Sequence, residues 1–168
     1  LRSASVVKVL VTGCAGFIGY HVAEALLARG DSVVGLDSVN DYYDVRLKRA
    51  RMDRLRAQAG FGFHHLDVSD KDAVGGLIAG HGDIAGIVHL AAQAGVSYSI
   101  ENPFAYVRSN VMGQVAMLEL ARRLRALRHF VYASSSSVYG ANTKVPFAVS
   151  DPVLAPCSLY AATKRADE

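Results

Sequence analysis

Apolar and polar residues alternate along the chain with two different periods. Short apolar runs rich in valine, isoleucine and leucine, each bounded by glycine or polar residues, predict β-strands. The predicted strands span residues 6–12, 32–37, 62–67, 84–92 and 129–134. Longer segments with apolar residues three or four positions apart predict helices. The predicted helices span residues 15–30, 44–59, 70–79 and 103–127, and a last helix begins near Ser158.

Strands and helices that alternate in this order form βαβ units, in which successive strands run parallel. The sequence therefore predicts an α/β fold with a doubly wound parallel sheet. In such sheets ligands bind beyond the carboxyl ends of the strands. Residues able to bind ligands or react lie at or just after these ends: Gly13, Asp37, Asp67, Ala91 and the serines at 134–137. We expect them to share one edge of the sheet.

Composition and charge exclude several classes of partner. The 168 residues are 51% hydrophobic and 20% charged with a formal net charge of +3, which is typical of one globular domain. The basic segment 46–56 has helical spacing, so we interpret it as a solvated helix face and expect no nucleic-acid partner. No apolar stretch reaches the length of a membrane span, so no membrane partner is expected either.

The cysteines and histidines do not have the spacing of metal ligands. Cys14 and Cys157 are far apart in the sequence and form no CxxC or Cys/His pattern, so no metal site is predicted. Two unpaired thiols favour a reducing compartment, and a cytoplasmic location is expected. His89 lies in the fourth predicted strand, where we interpret it as a core residue.

Three glycines, Gly13, Gly16 and Gly19, lie between the first predicted strand and the first predicted helix. A strand before and a helix after this pattern are the context of a dinucleotide-binding turn. The first glycine allows a tight turn, the second lets the backbone approach a pyrophosphate, and the third lets the helix pack closely. The helix N-terminus offers free N–H groups and a partial positive charge to phosphate oxygens.

Two acidic residues at strand ends are candidates for the nucleoside. Asp37 follows the glycines by about twenty residues, where a carboxylate accepts hydrogen bonds from ribose hydroxyls and repels a 2′-phosphate, so NAD is favoured over NADP. Asp67 is interpreted either as a contact for adenine or as a turn residue before Ser69. Tyr42 and Tyr43 either flank the adenosine or cover the second helix.

Tyr160 and Lys164 are four residues apart in the last predicted helix, so their side chains project from one face. A neighbouring ammonium stabilises a phenolate and lowers the pKa of a tyrosine from its usual value of about 10. Such a tyrosine can take a proton from a hydroxyl while hydride leaves the adjacent carbon. Because YxxxK pairs are common on helix surfaces, the interpretation depends on the glycine-rich turn and on the serines at the end of the fifth strand.

The motifs together resemble one family. "VTGCAGFIG", "LDSVNDYYD", "HLAAQAGVSYSIENP", "ASSSSVYG" and "LYAATK" are similar to the extended short-chain dehydrogenase/reductases, specifically the NAD-dependent sugar-nucleotide epimerases and dehydratases. The resemblance covers essentially the whole chain. It implies a Rossmann-like NAD-binding domain over residues 1–168, and we expect this to be the N-terminal portion of a longer enzyme without its C-terminal substrate domain. It also implies homodimers formed through the long helix and the Tyr160 helix.

The resemblance assigns roles by position. It implies Tyr160 as the catalytic base, Lys164 as the residue that binds the nicotinamide ribose and tunes the tyrosine, and Ser135 as the catalytic serine. Ser136 and Ser137 are expected to line the substrate pocket. The residues expected to contact NAD besides Tyr160 and Lys164 are Gly13, Gly16, Phe17, Ile18, Gly19, Asp37, Asn40, Asp67, Val68, Leu90, Ala91, Ala92, Gln93 and Asn110.

The serine run also discriminates between reactions within the family. Dehydrating and decarboxylating relatives typically carry a carboxylate directly after the catalytic serine or threonine. Here these positions are Ser136 and Ser137, so the resemblance favours epimerisation at C4 of a UDP-sugar through a transient 4-keto sugar.

Two further segments, "DSVNDYYDVRLKRARMDRL" and "NTKVPF", are most similar to enzymes that epimerise UDP-glucuronate to UDP-galacturonate. Ser97 stands where those relatives often carry arginine. A UDP-glucose/galactose 4-epimerase, or another sugar-nucleotide oxidoreductase or dehydratase, is therefore kept as an alternative. A fragment that binds NAD without catalysis is a second alternative.

Overall fold

Five parallel strands form one sheet in the order β3-β2-β1-β4-β5 in the computed structural model, which describes residues 6–168. The strands are β1 (Lys8–Thr12), β2 (Ser32–Asp37), β3 (Phe61–His65), β4 (Gly86–His89) and β5 (His129–Tyr132). At least one helix lies between each pair of successive strands, and the strand order reverses between β1 and β4. The predicted doubly wound α/β fold is confirmed, and its switch point is where ligands bind in such sheets.

Eight α-helices connect and flank the strands of the described segment. They are α1 (Phe17–Ala28), α2 (Val45–Arg56), α3 (Lys71–Gly76), α4 (Ile78–His81), α5 (Tyr98–Glu101), α6 (Pro103–Tyr106), α7 (Gly113–Arg123) and α8 (Leu159–Asp167). A π-helical segment (Val107–Met112) joins α6 to α7, and a 3₁₀ helix (Ser136–Tyr139) follows β5. Across residues 6–168, none of the helices has the length and apolar character of a membrane span.

The sheet is buried because its central strands are apolar on both faces. In β1, Leu10 packs into one hydrophobic cluster with β4, α3 and α7, whereas Val9 and Val11 pack into another with α1 and α2. The edge strands β3 and β5 are more exposed. Uninterrupted apolar runs in the sequence thus correspond to the central strands, as expected for a parallel sheet covered by helices on both faces.

Several predicted elements are shorter in the structure, for local reasons. The fourth strand stops at His89 because the next two amides, those of Leu90 and Ala91, donate to Thr12 Oγ1 at 3.1 and 3.0 Å instead of to a neighbouring strand. The helix predicted at 103–127 ends at Arg123 and contains the π-helical segment. The short helix α5 and the 3₁₀ helix were not predicted.

The predicted helix stops and starts are well reproduced at two ends. Gly30 has a φ of +93° and ends α1: its N–H donates to Leu27 O at 2.9 Å, and the Asp31 N–H donates to Leu26 O at 3.1 Å. This pair of bonds is the Schellman arrangement that glycine favours. Asp70 begins α3 as its N-cap, and its carboxylate accepts from two amides of the first turn.

Candidate cofactor and active site

The glycine-rich turn brings the end of β1, the start of α1 and the end of β4 into direct contact. Gly13 has a φ of +69°, and its N–H donates to Leu36 O at 2.7 Å. A Cβ atom on Gly13 would lie 2.9 Å from the Ala91 nitrogen, and one on Gly19 would overlap the Gly13 carbonyl oxygen. Only glycine fits both positions, so the turn and the helix N-terminus can lie directly against each other.

The N-terminus of α1 has no side-chain cap from the described residues. Gly16 is the N-cap, and a Cβ there would lie 3.0 Å from the Gly13 carbonyl oxygen. Phe17 and Ile18 are 65% and 63% exposed, so their side chains do not cover the helix end. The first amides of any helix lack an intrahelical partner, and here no side chain of residues 6–168 replaces one. Such an end binds anions.

A cleft of about 120 Å³ opens beside this turn. It is smaller than the roughly 300–1,000 Å³ of whole ligand pockets, so it encloses part of a dinucleotide at most. The predicted residues that line it are Gly13, Gly16, Asp37, Asn40, Asp67, Val68, Leu90, Ala91, Ala92 and Gln93. The lining residues that were not predicted as contacts are Leu36, Ser38, Tyr42, Tyr43, Lys48, Leu66 and Ser109. Both tyrosines left open by the sequence thus face the cleft.

Asp37 organises the cleft as well as lining it. Its two carboxylate oxygens accept from the Ala15 N–H at 3.0 Å and from the Val39 N–H at 2.7 Å. Val39 has a φ of +48°, a conformation that costs energy for a β-branched residue. The bond to Asp37 stabilises that conformation. Each oxygen accepts a second hydrogen bond in principle, so the carboxylate keeps capacity for a ligand hydroxyl.

Asp67 forms the turn that was one of its two interpretations, and it also lines the cleft. One of its oxygens accepts from the Ser69 N–H at 2.9 Å and from the Ser69 hydroxyl at 2.8 Å, which makes a turn. The side chain also lies at the cleft. A contact with adenine stays a prediction.

Lys48 corrects the interpretation of the basic segment. The segment was read as a solvated helix face, but Lys48 is only 5% exposed. Its Nζ donates to Asn40 O at 2.8 Å and to Asn40 Oδ1 at 2.6 Å, and lies 4.5 Å from the centre of the Tyr43 ring. Burial lowers the pKa of Lys48, whereas the nearby Asp37 opposes that effect. One residue in a run of similar charges gives no sequence signal for such a position.

Thr12 lies behind the part of the cleft wall formed by Leu90 and Ala91, and it contacts His89 there. The Thr12 hydroxyl lies 2.6 Å from His89 Nδ1 and also accepts the two amides that end β4. His89 is 6% exposed, which confirms the prediction of a core residue. Burial, and secondarily the positive charge of Lys164, lowers the pKa of His89 to about 4. The imidazole is therefore neutral at neutral pH.

Asn110 lies behind the cleft wall and not in its lining. It is 2% exposed within the π-helical segment, and its side chain bonds both backbone groups of Gln93, at 2.8 and 3.1 Å. Its amide also donates to Thr163 Oγ1 at 2.9 Å. Asn110 thus connects the cleft wall to α8, the helix that carries Tyr160.

The serine run is ordered structure rather than a linker. Ser135 caps the 3₁₀ helix, and its Oγ accepts from the Ser137 N–H at 3.2 Å. Ser158 caps α8 in the same way, accepting from the Ala161 N–H at 3.0 Å. The 3₁₀ helix and α8 pack against each other, so the structure brings the Ser135 segment to the Tyr160 helix.

Tyr160 and Lys164 share a face of α8 as predicted, but the ammonium binds a different group. Tyr160 is half-buried, with its ring centre 6.0 Å from that of Tyr106. Lys164 is buried, and its Nζ donates to Asp167 Oδ2 at 2.7 Å. Within residues 6–168 it has no hydrogen bond to the Tyr160 hydroxyl.

Tyr106 was not predicted as a site residue. It is fully buried, and its hydroxyl donates to the carbonyl oxygens of Ala94 and Gly95 at 2.7 and 2.6 Å. Burial, above all, raises the pKa of Tyr106 to about 12, so it acts as a neutral donor. It supports both the loop after β4 and the Tyr160 ring. The sequence shows only a tyrosine at an apolar helix position, which does not reveal this contact.

Comparisons with known proteins agree with this arrangement. The family model described as GDP-mannose 4,6 dehydratase matches residues 10–168. UDP-glucuronate 4-epimerase 4 of Arabidopsis thaliana is 50% identical over 162 residues, which cover 96% of this chain and 37% of that protein. Protein CapI of Staphylococcus aureus is 46% identical over 161 residues, covering 96% and 47% of the two chains.

Solved structures show the same fold. UDP-glucuronic acid 4-epimerase from Bacillus cereus, in complex with UDP-glucuronic acid and NAD, is 36% identical with a TM-score of 0.82, covering 95% of this chain and 49% of that one. The UDP-Glc/GlcNAc 4-epimerase from Campylobacter jejuni is 25% identical with a TM-score of 0.85, covering 96% and 46%. The chain thus spans less than half the length of these relatives.

The predicted resemblance to the sugar-nucleotide epimerases and dehydratases is confirmed by a match over almost the whole chain and by a shared parallel-sheet fold. The chain belongs to the GDP-mannose 4,6 dehydratase family, whose members are epimerases and dehydratases of the short-chain dehydrogenase/reductase type.

Proposed function

We propose that these residues form the NAD-binding part of an epimerase that inverts C4 of a UDP-sugar, with UDP-glucuronate as the substrate and UDP-galacturonate as the product. One observation carries the proposal. The glycine-rich turn, with its uncapped helix, follows the carboxyl end of β1, and the Ser135 segment, which packs against the Tyr160 helix, follows the carboxyl end of β5. Relatives named as UDP-glucuronate 4-epimerases and a neighbour crystallised with UDP-glucuronic acid and NAD support it. The activity is that of the full-length enzyme, because this chain spans less than half of those relatives.

The residues present fit NAD. A Cβ atom at Gly13 or Gly19 would clash with the backbone of the turn, so the turn stays free of side chains at these positions. The uncapped amides in the first turn of α1 can donate to the oxygens of a pyrophosphate. The Asp37 carboxylate has acceptor capacity for the ribose hydroxyls and would repel a 2′-phosphate. Phe17 and Ile18 would contribute backbone amides. The lining residues proposed along the rest of the cofactor are Asn40, Asp67, Val68, Leu90, Ala91, Ala92 and Gln93, with Asn110 supporting them from behind. Tyr160 and Lys164 do not line this cleft, and we propose that they meet the nicotinamide end of the cofactor outside it.

Bound NAD would supply a reversible hydride acceptor, and the side chains of this chain would supply proton transfer and orientation. Tyr160 takes the proton of the sugar 4-hydroxyl as C4 is oxidised and returns it after the keto sugar has turned over. The Ser135 Oγ accepts from the Ser137 amide, which leaves its O–H to donate to the sugar oxygen. Lys164 supplies positive charge beside the tyrosine.

The groups after Ser135 favour epimerisation over elimination. Ser136 and Ser137 carry hydroxyls in the 3₁₀ helix, whereas removal of water from the sugar needs a base for the C5 proton and an acid that protonates the departing C6 hydroxyl. A serine hydroxyl has no accessible acidic proton at neutral pH. The pocket wall therefore supports hydride transfer and return without loss of a substituent.

The substrate is tested by incubating the full-length enzyme with UDP-glucuronate and, separately, with UDP-glucose. We expect UDP-galacturonate as the product from UDP-glucuronate, with kcat/KM at least about ten times higher than for UDP-glucose, because a charged C6 group is recognised by charge-assisted bonds. Product identity is measured by NMR of the sugar ring. Faster turnover of UDP-glucose, release of carbon dioxide, or a 4-keto-6-deoxy product would each contradict the proposal.

The continuous helical stretch of α6, the π-helical segment and α7 supports a homodimer. Its exposed apolar side chains recur at helical spacing and form one stripe on the outer surface, with Phe104 79% and Val115 52% exposed. The remaining residues of this stripe are Val107, Met112 and Leu118. Continuous exposed apolar surface marks interaction sites, and we propose that a second copy of this chain covers it.

Replacement of Leu118 by lysine is expected to weaken this dimer by at least about tenfold, because a charge would be buried in the apolar contact. Sedimentation velocity at several concentrations measures the dissociation constant. The matched control is Leu47→Lys on α2, since the two leucines are similarly exposed, at 52% and 48%. Equal dissociation constants for the two variants, or a protein that is monomeric throughout, would exclude the stripe as the interface.

A further inference from the structure

Lys164 forms a buried ion pair that the proposed mechanism does not require. Its Nζ lies 2.7 Å from Asp167 Oδ2, and the two side chains are 7% and 4% exposed. The other carboxylate oxygen, Asp167 Oδ1, is buried without a hydrogen-bond partner among residues 6–168. Gln114, on α7, donates to the Asp167 carbonyl at 3.4 Å, and its own Oε1 also lacks a partner there. The pair thus lies in a closed environment between α7 and α8.

Such a pair is a poor device for stability alone. Burying two charges carries a desolvation cost that can exceed the attraction between them. Burial raises the pKa of Asp167, while the Lys164 ammonium opposes this, so the carboxylate is held charged mainly by its partner. A buried carboxylate next to a lysine of the active site is therefore better explained by its effect on that lysine.

The other charged groups nearby do not replace Asp167. Glu168 accepts from the Ser134 hydroxyl at 2.6 Å and from Arg165 at 3.2 Å, on the outer side of α8. His89 approaches from β4, but its lowered pKa makes it neutral. Within the described part of the chain, Asp167 is the carboxylate that bonds Lys164.

We propose that Asp167 is a positioning residue that fixes the direction of the Lys164 ammonium and partly cancels its charge, and so sets the pH at which Tyr160 gains or loses its proton. An ammonium has three donors, and the bond to Asp167 uses one. The other two donors make no hydrogen bond within residues 6–168, and Lys164 lies one helical turn from Tyr160 on α8. The catalytic meaning of this role rests on the proposed function.

Asp167→Asn tests the role, because asparagine keeps the shape and an acceptor oxygen while removing the negative charge. The positive charge of Lys164 is then no longer partly cancelled, and it stabilises the Tyr160 phenolate more strongly. We expect the ionisation curve of Tyr160 to move to lower pH by about one unit. Ultraviolet absorbance of tyrosinate, as the difference between each protein and its Tyr160→Phe counterpart, isolates that curve. In the full-length enzyme the acid limb of kcat/KM should move in the same direction, and Asp167→Glu should restore it.

Asp151→Asn is the matched control, since Asp151 pairs with Lys144 away from this site and its loss should leave the curve in place. If Asp167→Asn does not fold by circular dichroism, Asp167→Ser, which leaves room for water, gives the same comparison. An unchanged tyrosinate curve in a folded Asp167 variant would overturn the inference. The titration needs no substrate, so it is separate from a failure of the full-length enzyme to epimerise UDP-glucuronate.

Discussion

Replacing Tyr160 by phenylalanine in the full-length enzyme is expected to lower kcat for UDP-glucuronate by a factor on the order of 10²–10⁴, the usual contribution of a positioned acid/base. Phenylalanine keeps the ring that packs 6.0 Å from Tyr106, so the fold should be unchanged. What is lost is the hydroxyl that, in the proposed mechanism, takes the 4-hydroxyl proton. The measurement is the initial rate at saturating UDP-glucuronate, with NAD affinity determined in parallel.

Tyr20→Phe is the control for this loss. The Tyr20 hydroxyl donates to Glu24 at 2.6 Å within α1, and Tyr20 does not line the cleft, so removal of this hydroxyl should leave kcat within about twofold of the parent enzyme. We expect Tyr160→Phe to retain NAD binding to within a small factor, because its backbone and ring remain. Near-parental turnover by Tyr160→Phe would remove Tyr160 from the mechanism.

Lowering the pH from 7 to about 4 is expected to cost about 3 kcal/mol of unfolding free energy through His89 alone. The pKa of His89 is about 4 in the folded protein, against its usual value of 6.5. Between these values the unfolded chain binds a proton that the folded protein does not. The stability that the neutral His89 contributes is therefore fully present above pH 6.5 and is lost as the pH falls toward 4.

This loss is measured by urea unfolding at both pH values for the protein and for two variants. His89→Asn places a non-titrating amide near Thr12. This variant should lose about 3 kcal/mol less unfolding free energy on acidification than the parent protein loses. His21→Asn is the control, because the His21 side chain is 55% exposed. His81 also has a pKa lowered by burial, so the parent's total loss exceeds the His89 contribution. An equal loss in His89→Asn would contradict the assignment.

Much of the site could be predicted because its signals are local in sequence. The spacing of Gly13, Gly16 and Gly19 between a strand and a helix depends on backbone geometry over a few residues, and the structure shows the close contacts that require glycine. The same holds for Asp37, which ends β2 in the structure as predicted. Position at a strand end placed both at the sheet edge.

Residues whose role depends on distant partners could not be predicted. Lys48 was interpreted as part of a solvated helix face, yet it is buried against Asn40, because the chain between β2 and α2 folds back over that helix. Asn110 was expected near the cofactor but contacts Gln93 and Thr163 from behind the wall. The π-helical segment that aims it inward has no clear pattern in a single sequence.

The sequence by itself determined the parallel α/β fold, the position of the glycine-rich turn and the grouping of the candidate site residues at one edge of the sheet. These depend on hydrophobic period and on short motifs, which act through the nearest residues along the chain. Only the tertiary structure decided which groups contact the buried and candidate catalytic side chains: Thr12 contacts His89, Tyr106 contacts the Tyr160 ring, and Asp167 pairs with Lys164. Burial and pairing arise when helices and strands pack, and the free energy of a charge depends on those neighbours rather than on its place in the chain.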